Sequence, residues 1–365
     1  MNKIKNNIFY DPILKIVIVI LIIMLFIGTP RMNDINFTTI ISLFTMMMLV
    51  SIIKSLNILK FFSDYIINIS HSTRQIVSLM TIFSFLGSML VTNDIAIITL
   101  VPLYIEIAYT QKLSIPYPVT LITIAANLGS SVTPFGNPQN VFLLSYYHLS
   151  INQFFNPAFI ILLLGMFILG CLVLFVKNKK INANDLSKIN LDYKKCLPVI
   201  ILIIFIFLGI FEVINLLIPF AITLIYGTYI NRSTITDVDY SLLLSFVGFF
   251  LIVGILSRNQ LVISGLNHLL NTSHQVFFSG ALISQIISNV PGAVLIAKFT
   301  NDFYPLYLGV NIGGLGSLVA SLANLLAFKQ VQKYADKSSW PFLKIFTLTN
   351  IVLLILSIIL ISFII

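Results

Sequence analysis

The chain has 365 residues, of which 58% are hydrophobic and only 9% are charged. So few charges cannot cover the surface of a water-soluble protein of this length, and two cysteines exclude a disulfide framework. The composition therefore predicts an all-α polytopic membrane protein, because only helices and closed barrels satisfy their backbone in lipid and the apolar stretches have helical length.

Seven uninterrupted apolar stretches predict membrane-spanning helices, and two broken segments described below raise the expected total to about nine spans. The uninterrupted stretches are 12–29, 36–56, 155–176, 197–212, 214–230, 241–257 and 342–364. The intervening segment 259–270 is expected to lie along the membrane surface.

The distribution of basic residues predicts the orientation of these spans. If the N-terminus is cytoplasmic, all but three of the 21 Lys and Arg residues fall on the inner side, as the positive-inside rule requires. The three outer exceptions are Arg31, Arg258 and Lys298. We therefore expect a multi-pass protein of the plasma membrane with its C-terminus outside, and the net charge of +9 needs no nucleic acid to explain it.

Two segments, 75–109 and 275–301, are predicted to form re-entrant hairpins. In the first, the apolar arms 76–91 and 95–109 flank the polar sequence VTNDI. Arms of this length are shorter than a hydrocarbon core of about 30 Å. The second hairpin, SQIISNVPGAVLIAKF, has the same pattern.

A broken helix is predicted after each hairpin, at 116–149 and 303–328. The interruptions are NLGSSVTPFGNPQNVF and NIGGLGSLVASLAN, which combine Gly, Asn and Ser, with two Pro in the first. Non-helical backbone at membrane depth is tolerated only where protein or a water-filled cavity surrounds it. Both interruptions are therefore expected to face something polar.

The two halves of the chain match each other at one constant offset of 184 residues, which pairs Asn127, Gly129 and Asn140 with Asn311, Gly313 and Asn324. We interpret 1–176 as the first repeat, 177–196 as a cytoplasmic linker, and 197–365 as a linking helix followed by the second repeat. The extra crossing inverts the second repeat. Inverted repeats with paired broken helices are typical of secondary transporters.

Several segments together resemble the ion transporter superfamily: SMLVTNDIAIITLVPL, AANLGSSVTPFGNPQN, SNVPGAVLI and GVNIGGLGSLVASLAN. The resemblance covers nearly the whole chain and is closest to citrate-transporter-like permeases, which are related to divalent-anion/sodium symporters, arsenical-pump membrane proteins and certain sodium/proton antiporters. It implies a homodimer with elevator-type motion. The symporter branch carries Ser-Asn-Thr at its hairpin tips, whereas this chain has Thr92-Asn93-Asp94 and Ser288-Asn289-Val290.

Hairpin tips at mid-membrane offer backbone N–H groups and helix N-termini to an anion, and the loops offer oxygens to a small cation. The candidate substrate-binding residues are Thr92, Asn93, Asn137, Ser288, Asn289, Pro291 and Ser317. The candidates for cation binding or proton coupling are Asp94, Asn127, Gly129, Ser130, Thr133, Asn311, Gly313 and Gly316. Asn93 has the alternative role of a simple helix cap, and Asp94 that of an N-terminal helix charge.

The resulting hypothesis is a cation-coupled secondary transporter of a small anion, with citrate or succinate as first candidates. No cofactor is expected beyond sodium or a proton as coupling ion. A sodium/proton antiporter, an arsenite-type oxyanion efflux carrier, a channel and a transport-dead receptor remain alternatives. The sequence lacks the motifs of primary pumps and intramembrane metalloproteases, so we do not expect an enzyme. The expected partners are the anion, the bilayer and a second copy of the chain, without nucleic acid.

Overall fold

The computed structural model describes residues 11–58, 61, 69–180 and 193–365, except the side chains of residues 12, 13, 193, 267 and 268. Throughout these residues the regular structure is helical, which confirms the all-α fold class. Most of the predicted linker 177–196, namely residues 181–192, lies outside the described residues.

Sixteen helices are numbered here in chain order. They are α1 Pro12–Met24, α2 Phe37–Ser55, α3 Thr73–Leu90, α4 Asn93–Thr110, α5 Pro116–Ser130, α6 Pro138–Tyr146, α7 Ile151–Leu174, α8 Tyr193–Ile210, α9 Leu217–Ile230, α10 Tyr240–Leu256, α11 Gln260–Leu269, α12 Ser273–Ile287, α13 Asn289–Ala297, α14 Phe303–Ile312, α15 Leu322–Tyr334 and α16 Ser339–Ser362. Single turns also form at Met32–Asp34, Ser233–Thr236 and Asp336–Ser338.

The first hairpin is α3 and α4, and its arms are longer than predicted. Each has 18 residues, because Ser72 caps α3 by accepting a hydrogen bond from the Gln75 amide, and α4 begins two residues after Val91. Both arms are long and apolar enough to count as candidate spans. The second hairpin, α12 and α13, has arms of 15 and 9 residues.

The breaks in the two broken helices are shorter than their polar sequences suggested. Helix α5 continues through Ser130 and α6 resumes at Pro138, so only residues 131–137 are non-helical in the first half. In the second half the break covers residues 313–321, between α14 and α15. Asn127 and Gly129 therefore belong to helix α5 rather than to the unwound loop.

Helix packing relates the hairpins and broken helices of the two halves reciprocally. Helix α3 packs on α5, and in the same way α12 packs on α14. The return helices cross over, since α4 packs on α15 and α13 packs on α6. Each hairpin therefore packs on the broken helices of both halves. As a result, the hairpin tips and the breaks of the broken helices lie together in the molecule.

Among the described residues, five helices are long and apolar enough to cross a membrane alone, or up to six if the pair formed by Tyr240–Leu256 and the start of α11 is one span. That pair is bent by 93°, so α11 turns away from α10, as expected of a segment lying along the membrane surface. The total of about nine spans depends on shorter and broken helices as well and stays a prediction.

An ion pair joins the loop after α1 to the end of α10. The Arg258 guanidinium donates to both carboxylate oxygens of Asp34, at 2.7 and 3.0 Å, and to the Thr29 carbonyl at 2.8 Å. Burial alone would raise the pKa of the Asp34 carboxyl, but hydrogen bonds from Arg258 and from the Arg31 amide, with the attraction of the Arg258 charge, hold that pKa below its usual range. Two segments predicted to lie outside are thus in contact.

Candidate functional site

The tip of the first hairpin is held against the break of the first broken helix. The Asn93 amide, in the first turn of α4, donates to the Gly136 carbonyl at 2.9 Å. The Asn93 side chain is 5% exposed; its Nδ2 donates to Asn127 Oδ1 at 3.3 Å and its Oδ1 accepts from the Asp94 amide at 2.9 Å. Thr92, the residue before α4, is half-buried beside it.

The tip of the second hairpin repeats this contact. The Asn289 amide donates to the Ala320 carbonyl at 2.9 Å, and Ala320 is the counterpart of Gly136 at the offset of 184. Ser288 has a φ of 76°, in the left-handed region that a non-glycine residue adopts only at a cost. Pro291 lies half-buried in the first turn of α13.

These contacts correct one expectation from the sequence. The backbone N–H groups of Asn93 and Asp94 were expected to be available to an anion, yet each already donates to an oxygen of the protein. An anion that binds the Asn93 N–H therefore has to displace the Gly136 carbonyl.

Two asparagine side chains donate hydrogen bonds to the backbone carbonyls of the unwound loops. Asn140 Nδ2 donates to the carbonyls of Ser130, Ser131 and Thr133 at 3.4, 3.3 and 3.0 Å. Asn324 Nδ2 donates in the same way to the carbonyls of the matched positions Gly314 and Ser317, each at 3.0 Å. A loop with only a few backbone hydrogen bonds of its own needs such partners for its other buried carbonyls, so these side chains take the place of the missing helical hydrogen bonds.

The same asparagines join the two halves. Asn127 Nδ2 donates to Asn324 Oδ1 at 2.6 Å, and Asn311 Nδ2 donates to Asn140 Oδ1 at 3.0 Å. Since Asn127 matches Asn311 and Asn140 matches Asn324, the two bonds are equivalent under an exchange of the halves. We call these four side chains the amide cluster; all are at most 4% exposed.

A second pair of reciprocal contacts surrounds the amide cluster. Ser321 Oγ donates to Asn127 Oδ1 and the matched Asn137 Nδ2 donates to Asn311 Oδ1, both at 3.2 Å. Asn137 also precedes α6 and accepts from the Asn140 amide at 3.2 Å. It therefore both caps a helix and contacts the opposite half.

Hydrogen bonds from side chains to the backbone join each loop to its own hairpin. Thr133 Oγ1 donates to the Met89 carbonyl and the matched Ser317 Oγ to the Gln285 carbonyl. Gln285 holds the second loop further, because its Nε2 donates to the carbonyls of Gly313 and Leu315, at 2.7 and 3.1 Å, and its Oε1 accepts from the Ser317 amide at 3.0 Å.

Two glycines are required by geometry. Gly316 has a φ of 100°, and a Cβ there would lie 2.3 Å from Gln285 Oε1. A Cβ on Gly129 would lie 2.1 Å from the Phe85 carbonyl oxygen and 2.5 Å from Ser88 Oγ, so α3 approaches α5 only because that residue is glycine. The glycines named as cation candidates have this clear packing role.

The halves differ at one point of the cluster. Asn93 Nδ2 donates to Asn127 Oδ1, but among the described residues Asn289 Nδ2 makes no matching hydrogen bond to Asn311. The second donor to Asn311 Oδ1, beside Asn137, is instead Gln139 Nε2, at 3.3 Å, and the residue matched to Gln139 is Ala323. The amide nitrogen of Asn289 is therefore available to a ligand.

One carboxylate lies at the first hairpin tip, and a second acts on it at longer range. Asp94, in the first turn of α4, is half-buried, and no donor among the described side chains bonds its carboxylate. Asp239, which caps α10 by accepting from the Leu242 amide at 3.0 Å, lies within electrostatic range of Asp94. Two neighbouring like charges repel unless a proton or a metal cation is shared between them.

The structure brings the predicted site residues to the hairpin tips, the loops and the adjoining ends of α5 and α14, but several of their oxygens are engaged. The hydroxyls of Ser130 and Ser131 both donate to the Asn127 carbonyl. Their roles as cation ligands stay predictions. Among the described residues, no group of three or more His, Cys, Asp or Glu side chains forms a metal site.

Sequence reasoning missed five residues of the site: Gln139, Asn140, Gln285, Tyr307 and Asp239. Asn140 and Asn324 had been matched by spacing, but without a role. The available signal for the others was a polar side chain within an apolar helix. Tyr307 shows why that signal is weak, because its hydroxyl donates to the Ser131 carbonyl from the opposite half.

The fold combines two helical hairpins with two broken helices, and polar side chains are buried where they meet. This arrangement is that of a polytopic membrane transporter. The comparisons with known proteins agree: the citrate transporter family model matches residues 8–309. The chain belongs to the citrate transporter family.

Two relatives and one solved structure illustrate the likeness. An uncharacterized transporter of Methanocaldococcus jannaschii is 32% identical over 85% of this chain and 86% of its own length. A silicon efflux transporter of Oryza sativa subsp. japonica is 33% identical, over 27% of this chain and 20% of its own. The fold is similar to that of the YdaH transporter of Alcanivorax borkumensis, with a TM-score of 0.57 and 12% identity, covering 89% of this chain and 85% of that one.

Proposed function

We propose that this transporter carries a small anion by alternating access, driven by a cation gradient, with a di- or tricarboxylate such as citrate or succinate as first candidate. The observation that carries the proposal is the composition of the site. Amide side chains line it, the Asp94 carboxylate adjoins it with Asp239 within electrostatic range, and no Lys or Arg among the described residues contacts the amide cluster.

An anion in such a site has no fixed positive charge to pair with. Amide N–H groups and helix N-termini offer only partial charges, whereas Asp94 and Asp239 repel it. A co-bound sodium ion or proton at these carboxylates removes the repulsion. Solute binding and cation binding then favour each other, and this mutual dependence couples the two fluxes.

Other parts of the proposal rest on the family and, for the orientation, on the distribution of basic residues. Transport rather than catalysis is the expected activity, in the plasma membrane with a cytoplasmic N-terminus, and the working unit is a homodimer. Cysteine labelling at positions 74 and 112 tests the orientation: both should react from the cytoplasmic side if the first hairpin is re-entrant.

The function is tested by flux into proteoliposomes containing the purified protein. Citrate, succinate, sulfate, phosphate and arsenite are offered separately under an imposed sodium gradient and an imposed proton gradient. Uptake of an anion that depends on one gradient supports the proposal. Equal uptake with and without both gradients contradicts the coupling, and absence of flux for every solute contradicts anion transport.

Two further candidate functions each have a specific observation in their favour. The proximity of Asp94 and Asp239 favours a sodium/proton antiporter, in which the carboxylates exchange the two cations without a solute. The likeness to a silicon efflux transporter favours efflux of a hydroxylated inorganic acid, arsenite included. Sodium-driven pH change without added anion identifies the first, and flux of arsenite or silicic acid identifies the second.

A further inference from the structure

The hydrogen bonds of the amide cluster fix the orientation of Gln139. Asn140 Nδ2 faces three backbone carbonyls of the first loop, so Asn140 Oδ1 must be the acceptor for Asn311 Nδ2. Asn311 Nδ2 also donates to the Tyr307 carbonyl at 3.0 Å, and Asn311 Oδ1 is therefore the acceptor for Gln139 Nε2. A flipped Gln139 amide would place two oxygens against each other.

This chain of donors leaves Gln139 Oε1 without a partner among the described residues. Gln139 is 1% exposed, and a buried carbonyl oxygen without a donor is costly. The other carbonyl oxygens of the amide cluster, on Asn127, Asn140, Asn311 and Asn324, each accept at least one hydrogen bond. The unpartnered oxygen therefore lies at a position where the two halves differ, since Ala323 matches Gln139.

We infer that Gln139 is a specificity-determining residue whose Oε1 accepts a hydrogen bond from a hydroxyl group of the transported solute. A cation is the poorer partner, because Gln139 lies in the first turn of α6, where the helix dipole is positive. The same dipole favours a negative charge elsewhere on the solute. An anion that carries an O–H group meets both conditions.

A candidate donor for the same solute lies on a helix that packs against α6. Asn289 Nδ2, which has no partner among the described residues, lies 3.1 Å from the position that a Cβ on Gly314 would take, and Gly314 follows Asn311 by three residues. The return helix that carries Asn289 packs on the helix that carries Gln139. The solute is thus offered an amide donor and a carbonyl acceptor from opposite halves.

This inference rests on the proposed function and narrows its substrate to hydroxylated anions, whether hydroxycarboxylates or protonated oxyanions. Matched solute pairs test it: citrate against tricarballylate, malate against succinate, and hydrogenphosphate against sulfate. The second member of each pair lacks the O–H group at neutral pH. Preference within the first two pairs identifies a hydroxycarboxylate, and preference within the third identifies an oxyanion.

Purified protein is assayed for thermal stabilisation by each solute and, in proteoliposomes, for flux. Wild type should prefer the hydroxylated member of at least one pair by about tenfold, because the solute without the O–H group leaves Gln139 Oε1 without a hydrogen bond. Gln139→Leu should reduce that ratio to about one by raising the affinity of the non-hydroxylated solute relative to its partner. Gln139→Met serves the same purpose if the Leu variant does not fold.

Asn350→Leu is the matched control. Asn350 on α16 is also fully buried with an unpartnered Oδ1, but its Nδ2 bonds only the Phe346 carbonyl, away from the amide cluster. Its substitution should leave the solute ratio unchanged. The inference is overturned if wild type binds both members of every pair equally well. It is also overturned if the Gln139→Leu variant keeps the wild-type preference for the hydroxylated solute. Binding without flux would contradict the transport function while the binding ratio still decides the role of Gln139.

Discussion

Substitution of Asn140 by Ala is expected to destabilise the protein far more than the same change at Asn350. Both side chains are fully buried and on helices, so the two substitutions create similar cavities. Asn140 engages three loop carbonyls and accepts from Asn311, whereas Asn350 bonds one carbonyl of its own helix.

The difference between the two variants can be worked from these bonds. Loss of Asn140 removes four hydrogen bonds, against one for Asn350, and each bond contributes about 0.5–1.5 kcal/mol. The carbonyls of Ser131 and Thr133 and the Asn311 amide each keep a second partner. Because the Nδ2 bonds to Ser130 and Ser131 are long, the lower part of that range applies. Asn140→Ala should therefore be less stable than Asn350→Ala by about 1.5–3 kcal/mol.

The assay is thermal unfolding of each purified variant in one detergent, followed by intrinsic fluorescence and by loss of monodispersity. Asn324→Ala, in the matched position of the second half, should behave like Asn140→Ala. Equal melting temperatures for Asn140→Ala and Asn350→Ala would refute the conclusion that these side chains replace the missing helical hydrogen bonds of the loop.

Three other predictions concern the hairpin tips, the coupling carboxylate and the ion pair. Asn93→Ala and Asn289→Ala should each abolish flux while the protein still purifies as a folded species; normal flux in the Asn289 variant would remove the second tip from the site. Asp94→Asn should retain solute binding but lose gradient-driven uptake, which flux over a pH series compares directly with wild type. Because its pKa is lowered in the folded state, Asp34 stabilises the protein above the unfolded carboxyl pKa of about 3.9 and loses this contribution as pH falls through the lower folded value. The melting temperature of Asp34→Asn should therefore lie below that of wild type at pH 7, and the difference should become smaller in acid. A difference that stays constant with pH would show that the charge of Asp34 does not contribute to stability through Arg258.

The helical architecture was predictable because its signals are local. Apolar length located α2, α7 and α16 to within a few residues, and the polar tips located both hairpins. The ends were less accurate. The sequence around Asn127 has a high content of Gly, Pro and Asn, yet α5 extends to Ser130, because the amide cluster satisfies the polar side chains without unwinding the helix there.

The partners within the site were not predictable in the same way. Spacing matched Asn127 to Asn311, but a repeat cannot indicate whether each asparagine bonds within its own half or across to the other. The structure shows the second arrangement, through side chains 197 and 171 residues apart. Gln139 could not be identified from the sequence for a related reason, because it differs from its neighbours in that its Oε1 has no hydrogen-bond partner among the described residues.

The bond between Asn127 and Asn324 has a consequence for the order in which the protein is made. Asn127 is synthesised 197 residues before the side chain that it bonds, which corresponds to about 10–40 s at ordinary rates of translation. Throughout that interval the first broken helix lacks its partner at membrane depth. The insertion machinery or neighbouring lipid headgroups must shield those amides, and the first half completes its fold only after the second half has entered the bilayer.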